Sequence, residues 1–126
     1  MNGNCMGAAV LLIIQFGIGM GVNLYVTLPK HESFLRAVFD SATLAAHAVV
    51  ALVLLGAGIG ALVRAIRTRR AIVLASAGLA AILAAGIAGA SFVSNQSTDA
   101  SLAMALTALT TAVAMSCYLA AVFSLR

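Results

Sequence analysis

Charge is what this sequence has least of. Its 126 residues include seven Lys and Arg and three Asp and Glu, so that 8% are charged, where soluble domains carry roughly 25%. So sparse a complement cannot coat a water-facing surface, which excludes a soluble domain of this size. Acids are scarcer still. Glu32, Asp40 and Asp99 all lie between apolar stretches, and no carboxylate, lysine or arginine falls inside one. That argues against ion coupling through an intramembrane acid, the device of the four-helix small multidrug exporters. It argues equally against acid–base or hydrolytic catalysis, for which HExxH and GxSxG are also missing. Two lone cysteines without CxxC spacing supply no metal site. Cys5 and Cys117 both fall toward one reducing side of the membrane, where a structural disulfide is not expected. Tryptophan is absent, and the one proline, Pro29, falls in a loop, which suits uninterrupted membrane helices.

Apolar residues make up 63% of the chain. Four uncharged stretches, about Met6 to Leu28, about Ala42 to Val63, about Ala71 to Val93 and about Ser101 to Phe123, each reach the ~20 residues that cross hydrocarbon as a helix. The sequence therefore predicts an all-α, four-transmembrane-helix bundle, a single membrane domain over 1–126 with the lipid bilayer as its solvent. The loops are Pro29 to Ser41, Arg64 to Arg70 and Ser94 to Ala100. Basic residues near span ends resist translocation. Arg64, Arg67, Arg69 and Arg70 crowd the second loop with no acid, and Arg126 joins them, against Lys30 and Arg36 on the other side. Both termini are thus expected in the cytoplasm, with the chain in a bacterial inner membrane. Met1 to Gly7 has no basic residue of the kind that opens a signal peptide, so the first stretch is expected to remain as the first helix. The net charge of +4 is then topological. Four arginines in a short loop without aromatics do not make a nucleic-acid surface, although they suit anionic lipid headgroups. Tyr25 and Tyr118 lie near span ends, as interfacial anchors do.

Small residues show where helices can meet, because association in lipid depends on close van der Waals contact. GxxxG pairs occur at Gly17/Gly21 and Gly56/Gly60, and Gly78, Ala81, Ala85 and Gly89 recur at three- or four-residue steps. These are expected at tight contacts within the bundle, along a homodimer seam, or around a flat cofactor.

One histidine, His47, lies inside a span. Ser33 can cap a helix beginning near residue 34, which would extend the second span outward. On that extension Arg36, Asp40, Thr43 and His47 follow at steps of four, three and four, a polar stripe running down from the outer surface. Counting inward from the outer ends brings Asn23, Ser91, Met104 and Thr107 to the depth of His47. Gln15, Gly19 and Asn23 repeat every four residues on the first helix, and Thr107 and Thr111 do so on the fourth. A buried neutral histidine can be satisfied by Asn and Ser or Thr across such an interface. Alternatively, His47, Asn23, Met104 and Thr107 bind a small molecule, or His47 ligates haem b, with Met104, His31 or a second copy's histidine as the other axial ligand.

The run Asn23-Leu-Tyr-Val-Thr-Leu-Pro29, the histidine-bearing second helix, and Gly89-Ala-Ser-Phe-Val93 followed by Ser101-Leu-Ala-Met-Ala105 resemble small four-pass integral membrane proteins of actinobacteria, a group with no assigned function. The resemblance implies the four-pass topology and carries no catalytic residues with it. The expectation for function is a non-enzymatic structural or accessory membrane protein that packs with itself, as a homo-oligomer, or with a larger membrane complex. The alternatives are a haem or lipophilic-ligand binder built on His47, and a minimal transporter or channel with a wet path from Asp40.

Overall fold

A computed structural model describes residues 2–25, 34–94 and 100–124. Among the described residues there are five helices and no strand: α1 (Asn2–Tyr25), α2 (Phe34–Asp40), α3 (Ala42–Thr68), α4 (Ile72–Ser94) and α5 (Ala100–Ser124). α1, α3, α4 and α5 are each long and apolar enough to cross a membrane. The chain is an all-α, multi-pass bundle.

α1 and α4 each pack against both α3 and α5, so the four spans close into a ring in chain order. One rule selects the residues that turn inward. They are Cys5, Ala8, Leu12, Gln15, Gly19 and Val22 on α1, and Leu44, His47, Ala51, Leu54, Gly58, Ala61 and Ala65 on α3. On α4 they are Ala75, Gly78, Ile82, Ala85 and Gly89, and on α5 Thr107, Thr111, Ala114, Tyr118 and Ala121. Steps of three and four alternate on every helix. A repeat averaging 3.5 residues keeps one narrow seam facing the neighbours when helices cross at a shallow angle. Ala9, Ala81 and Val122 are buried beside this seam, while many of the large apolar side chains on the other faces are exposed, as suits a hydrocarbon solvent.

The seven-residue repeat also decides which glycines sit at contacts. A Cβ added at Gly78 would lie 2.8 Å from Tyr118 Cε2, and one at Gly58 would lie 3.0 Å from Tyr118 Oη. The tyrosine ring, 0% exposed, fills the space these two glycines leave between α3, α4 and α5. Tyr118 is therefore a core residue and not an interfacial anchor. At Gly17, Gly21, Gly56 and Gly89, by contrast, an added Cβ would meet nothing within 4 Å. The expectation of tight intramolecular contacts holds for Gly78 and fails for those four. Gly60 is half-buried. In each GxxxG stretch the central glycine, Gly19 or Gly58, occupies the inward step, which turns Gly17 and Gly56 outward.

Two connections differ from expectation. α3 continues past Val63, so Arg64 and Arg67 belong to its last turns, where positive charge suits the C-terminal end of the helix dipole. The turn into α4 shrinks accordingly. Arg69 adopts the left-handed conformation (φ 53°), its N–H donates to Ile66 O at 3.2 Å, and Arg70 N–H donates to Ala65 O at 3.1 Å. This paired closure of a helix end normally places glycine where Arg69 stands. At the other end of α3, Ser41 is extended (φ −123°, ψ 113°), and its Oγ accepts from Leu44 N–H at 3.3 Å. An N-cap at this point separates α2 from α3, because a capping residue cannot also be helical. The polar stripe is thereby broken, leaving exposed Arg36 and Asp40 on α2 out of register with Thr43 and His47 on α3. The bend brings Val38 of α2 onto Val22, Leu44 and Ile18.

Candidate functional site

The inner half of the bundle is filled by Tyr118, packed in one apolar cluster with Cys5, Leu12, Leu54 and Ile82. Farther from Tyr118, the inward residues of α4 are Ala85 and Gly89, and those described on α5 are Thr107 and Thr111, all of them small. A cavity of about 510 Å³ results, with walls from all four spans. Its lining is mainly apolar and contains no charged residue among the described residues.

Gln15 and His47 are the polar exception. Gln15 Nε2–H donates to His47 Nε2 across the α1–α3 seam at 3.1 Å. Gly19, one turn along α1, makes room for the ring: a Cβ there would stand 3.0 Å from His47 Cε1 and 3.6 Å from Nδ1. Glutamine, glycine and histidine thus act as one unit, in which the glycine lets the imidazole lie against α1 and the amide holds it. Two atoms of the pair remain unmet. Gln15 Oε1 and His47 Nδ1 are buried and have no hydrogen-bond partner among the described residues. Leaving a buried donor or acceptor unpaired costs about 1–3 kcal/mol each.

The other predicted site residues distribute as follows. Thr107 lines the cavity beside Thr111, whose hydroxyl donates to Thr107 O at 2.7 Å. Ser91 is exposed and donates to Ile87 O at 2.9 Å, so it does not belong to the histidine's layer. Thr43 is exposed as well. Asn23 and Met104 fall on α1 and α5 with side chains outside the described residues, as does the whole of His31. The observed partner of His47 is Gln15, two turns deeper along α1 than Asn23. Counting from span ends therefore sets the layer two turns away from the observed pairing. Arg64, Arg67, Arg69 and Arg70 lie exposed at the opposite end of α3 from His47. The two cysteines are free, Cys5 buried and Cys117 half-buried, and among the described residues no three His, Cys, Asp or Glu converge on a metal site.

The walls show how the cavity can be reached. At the end nearer α2 the described lining includes Val22 and Leu44, the cluster against which Val38 packs. At the end nearer Tyr118 it includes Leu12, Leu54 and Ile82. On its sides the lining includes exposed apolar residues of three spans, Phe16 and Met20 on α1, Leu52 on α3, and Leu83 and Ile87 on α4.

No protein-family model, no curated protein and no solved structure matches the chain.

Proposed function

We propose that this protein is a non-enzymatic carrier or receptor of an uncharged lipophilic molecule, seated in the cell membrane with both termini in the cytoplasm, and that the Gln15–His47 pair anchors its ligand. One observation carries the proposal: a cavity of about 510 Å³, within the ~300–1,000 Å³ range of ligand pockets, has mainly apolar walls drawn from all four spans, with Gln15 and His47 among the few polar residues of its lining. Its mainly apolar lining favours a lipid-borne ligand over a transported ion. A wet path from Asp40 would have to cross the Val22, Leu44 and Val38 cluster.

Haem does not fit the described residues. An axial ligand must turn a nitrogen toward the iron, whereas His47 Nε2 is held by Gln15 and Nδ1 lies buried against Gly19 of α1. The proposed ligand is accordingly an organic lipophile with no cofactor beside it.

The absence of tryptophan makes the test direct. Leu83→Trp places a reporter in the cavity lining, and Val73→Trp places one on the exposed face of α4 away from the cavity. In phospholipid nanodiscs, 1-bromododecane should quench the first with a saturable component and the second only in proportion to its mole fraction in the lipid. Identical, non-saturating curves would remove the proposal. Orientation is tested separately: a membrane-impermeant thiol reagent applied to intact cells should label a cysteine placed at Ser97 and spare one at Thr68.

Packing against a second copy or a larger membrane complex is a second role, favoured by Gly17 and Gly56, exposed glycines with open space over them. Leucine at either position should then change the oligomeric state in detergent and leave quenching at Leu83→Trp unaltered.

A further inference from the structure

The turn between α3 and α4 gathers four of the chain's seven basic residues into the short run from Arg64 to Arg70. Arg64, Arg67, Arg69 and Arg70 are all exposed. No acid accompanies them. Glu32 and Asp99 belong to other connections of the chain, and Asp40, the described acid, stands beyond the far end of α3, about 40 Å away at ~1.5 Å per residue. Large apolar side chains are interleaved with these charges. Val63 and Ile66 on α3 and Ile72 and Val73 on α4 are exposed as well, Val73 by 79%. Guanidinium groups beside bare hydrocarbon suit one place, the border where lipid headgroups meet acyl chains.

Positive charge at a span end orients a membrane protein whichever basic residue carries it, and this turn holds more than orientation needs. All four cations are arginine, whose planar fork pairs with two phosphate oxygens at once, whereas the chain's one lysine, Lys30, lies in another connection. Arg69 also holds a left-handed conformation (φ 53°), in which glycine is the less strained choice. The backbone gains nothing from arginine at that position, so its contribution lies in the side chain.

We propose that the α3–α4 turn binds the headgroups of anionic phospholipids, its arginines pairing with phosphate while Ile66, Ile72 and Val73 lie against the acyl chains of the same lipids. A lipid whose phosphate is balanced by its own choline cation presents no net charge to the turn and is held less well. The surface lies at the opposite end of α3 from His47 and does not depend on what the cavity holds.

The test uses the full chain in nanodiscs of phosphatidylcholine and phosphatidylglycerol in equal parts, with Val73→Trp as the reporter beside the turn. Bromine is placed on the acyl chains of one lipid and then of the other, and the two quenching curves give the relative association constant of the lipids at the reporter. Phosphatidylglycerol should be favoured about fivefold, the attraction of about one basic residue for one anionic headgroup. Phe39→Trp, on α2 where Arg36 and Asp40 offset one another, should report a ratio of about one. This comparison leaves every arginine in place. A ratio of about one at Val73→Trp, or the same elevated ratio at both reporters, would overturn the proposal. In the Val73→Trp chain, Arg67→Gln/Arg69→Gly/Arg70→Gln should bring the ratio below about twofold, and an undiminished preference would likewise overturn it. Exchanging chloride for inorganic phosphate at constant ionic strength should leave the parent ratio unchanged. Collapse of the ratio in phosphate would assign the turn to a soluble anion and overturn the lipid assignment.

Discussion

Gly78 offers the sharpest test of how the bundle is packed. Alanine there would place its Cβ 2.8, 2.9 and 3.3 Å from Cε2, Cζ and Cδ2 of Tyr118, where carbon pairs prefer about 3.5–4.0 Å. The ring must therefore withdraw by roughly 0.7 Å at its nearest atom to restore contact distance. It has little room to do so, being wholly buried with its hydroxyl close against Gly58. Overpacking of this kind costs about 1–3 kcal/mol, whereas replacing an interior helical glycine by alanine returns up to about 1 kcal/mol through helix propensity. Gly86, on the same helix with nothing within 4 Å of its added Cβ, separates the two effects. Unfolding followed by far-ultraviolet circular dichroism in mixed micelles should place Gly78→Ala about 1–3 kcal/mol below Gly86→Ala. In a Tyr118→Leu background the gap should close. Equal stability of the two alanine variants in the parent chain would show that the Tyr118 ring is not wedged between these helices.

Three other expectations use the same unfolding assay. Tyr118 Oη is buried without a hydrogen-bond partner, so Tyr118→Phe should raise stability by about 1 kcal/mol, and a loss of that size would reveal a partner for the hydroxyl. Arg69 holds a left-handed conformation at φ 53°, so Arg69→Gly should stabilise the α3–α4 turn by about 1 kcal/mol, while Arg69→Ala should not; equal effects would mean that the conformation is unstrained. Gln15→Leu and His47→Leu should each cost about 1–3 kcal/mol by stranding the other partner, and the double variant should recover most of that. Additive losses would break the link between the two residues.

The four spans are legible because their signal is long: some twenty uncharged apolar residues in a row leave few alternatives to a helix in lipid. The arginine-rich turn is legible for the same reason, although its start is not. Arg64 and Arg67 look like loop residues by charge, yet they can extend a helix whose end has left the hydrocarbon. Ser41 is a missed boundary whose signal was present, a capping residue directly before an apolar run, masked by the regular spacing of Arg36, Asp40, Thr43 and His47. The candidate site was half visible. Gln15, Gly19 and Asn23 share a four-residue repeat, and which of them meets His47 depends on the axial offset between α1 and α3. No single helix encodes that offset. The glycines failed as markers for a related reason, since GxxxG shows that two residues share a face but not whether the face looks inward. The alternation of three- and four-residue steps through Leu12, Gln15, Gly19 and Val22 contains that missing information.

Glycine and alanine line the interior at both ends of α4, but with opposite consequences. Near the inner end Gly78 faces Tyr118, and the aromatic ring takes up the volume that the glycine vacates. Near the outer end Ala85 and Gly89 have Thr107 and Thr111 as their described counterparts on α5, and the vacated volume persists as the cavity. A close-packed interior normally excludes such a space, because each unfilled methylene forfeits contacts with its neighbours. Filling it would take one substitution, leucine or phenylalanine at Ala85 or Thr111, both of which belong to its lining. The protein has that solution available within one helical layer of Tyr118, yet at the open layer it sets an imidazole and an amide against the space. A bundle shaped by stability alone would bury neither. On the function proposed above, the same space lost to packing serves as a seat for a ligand arriving from the bilayer.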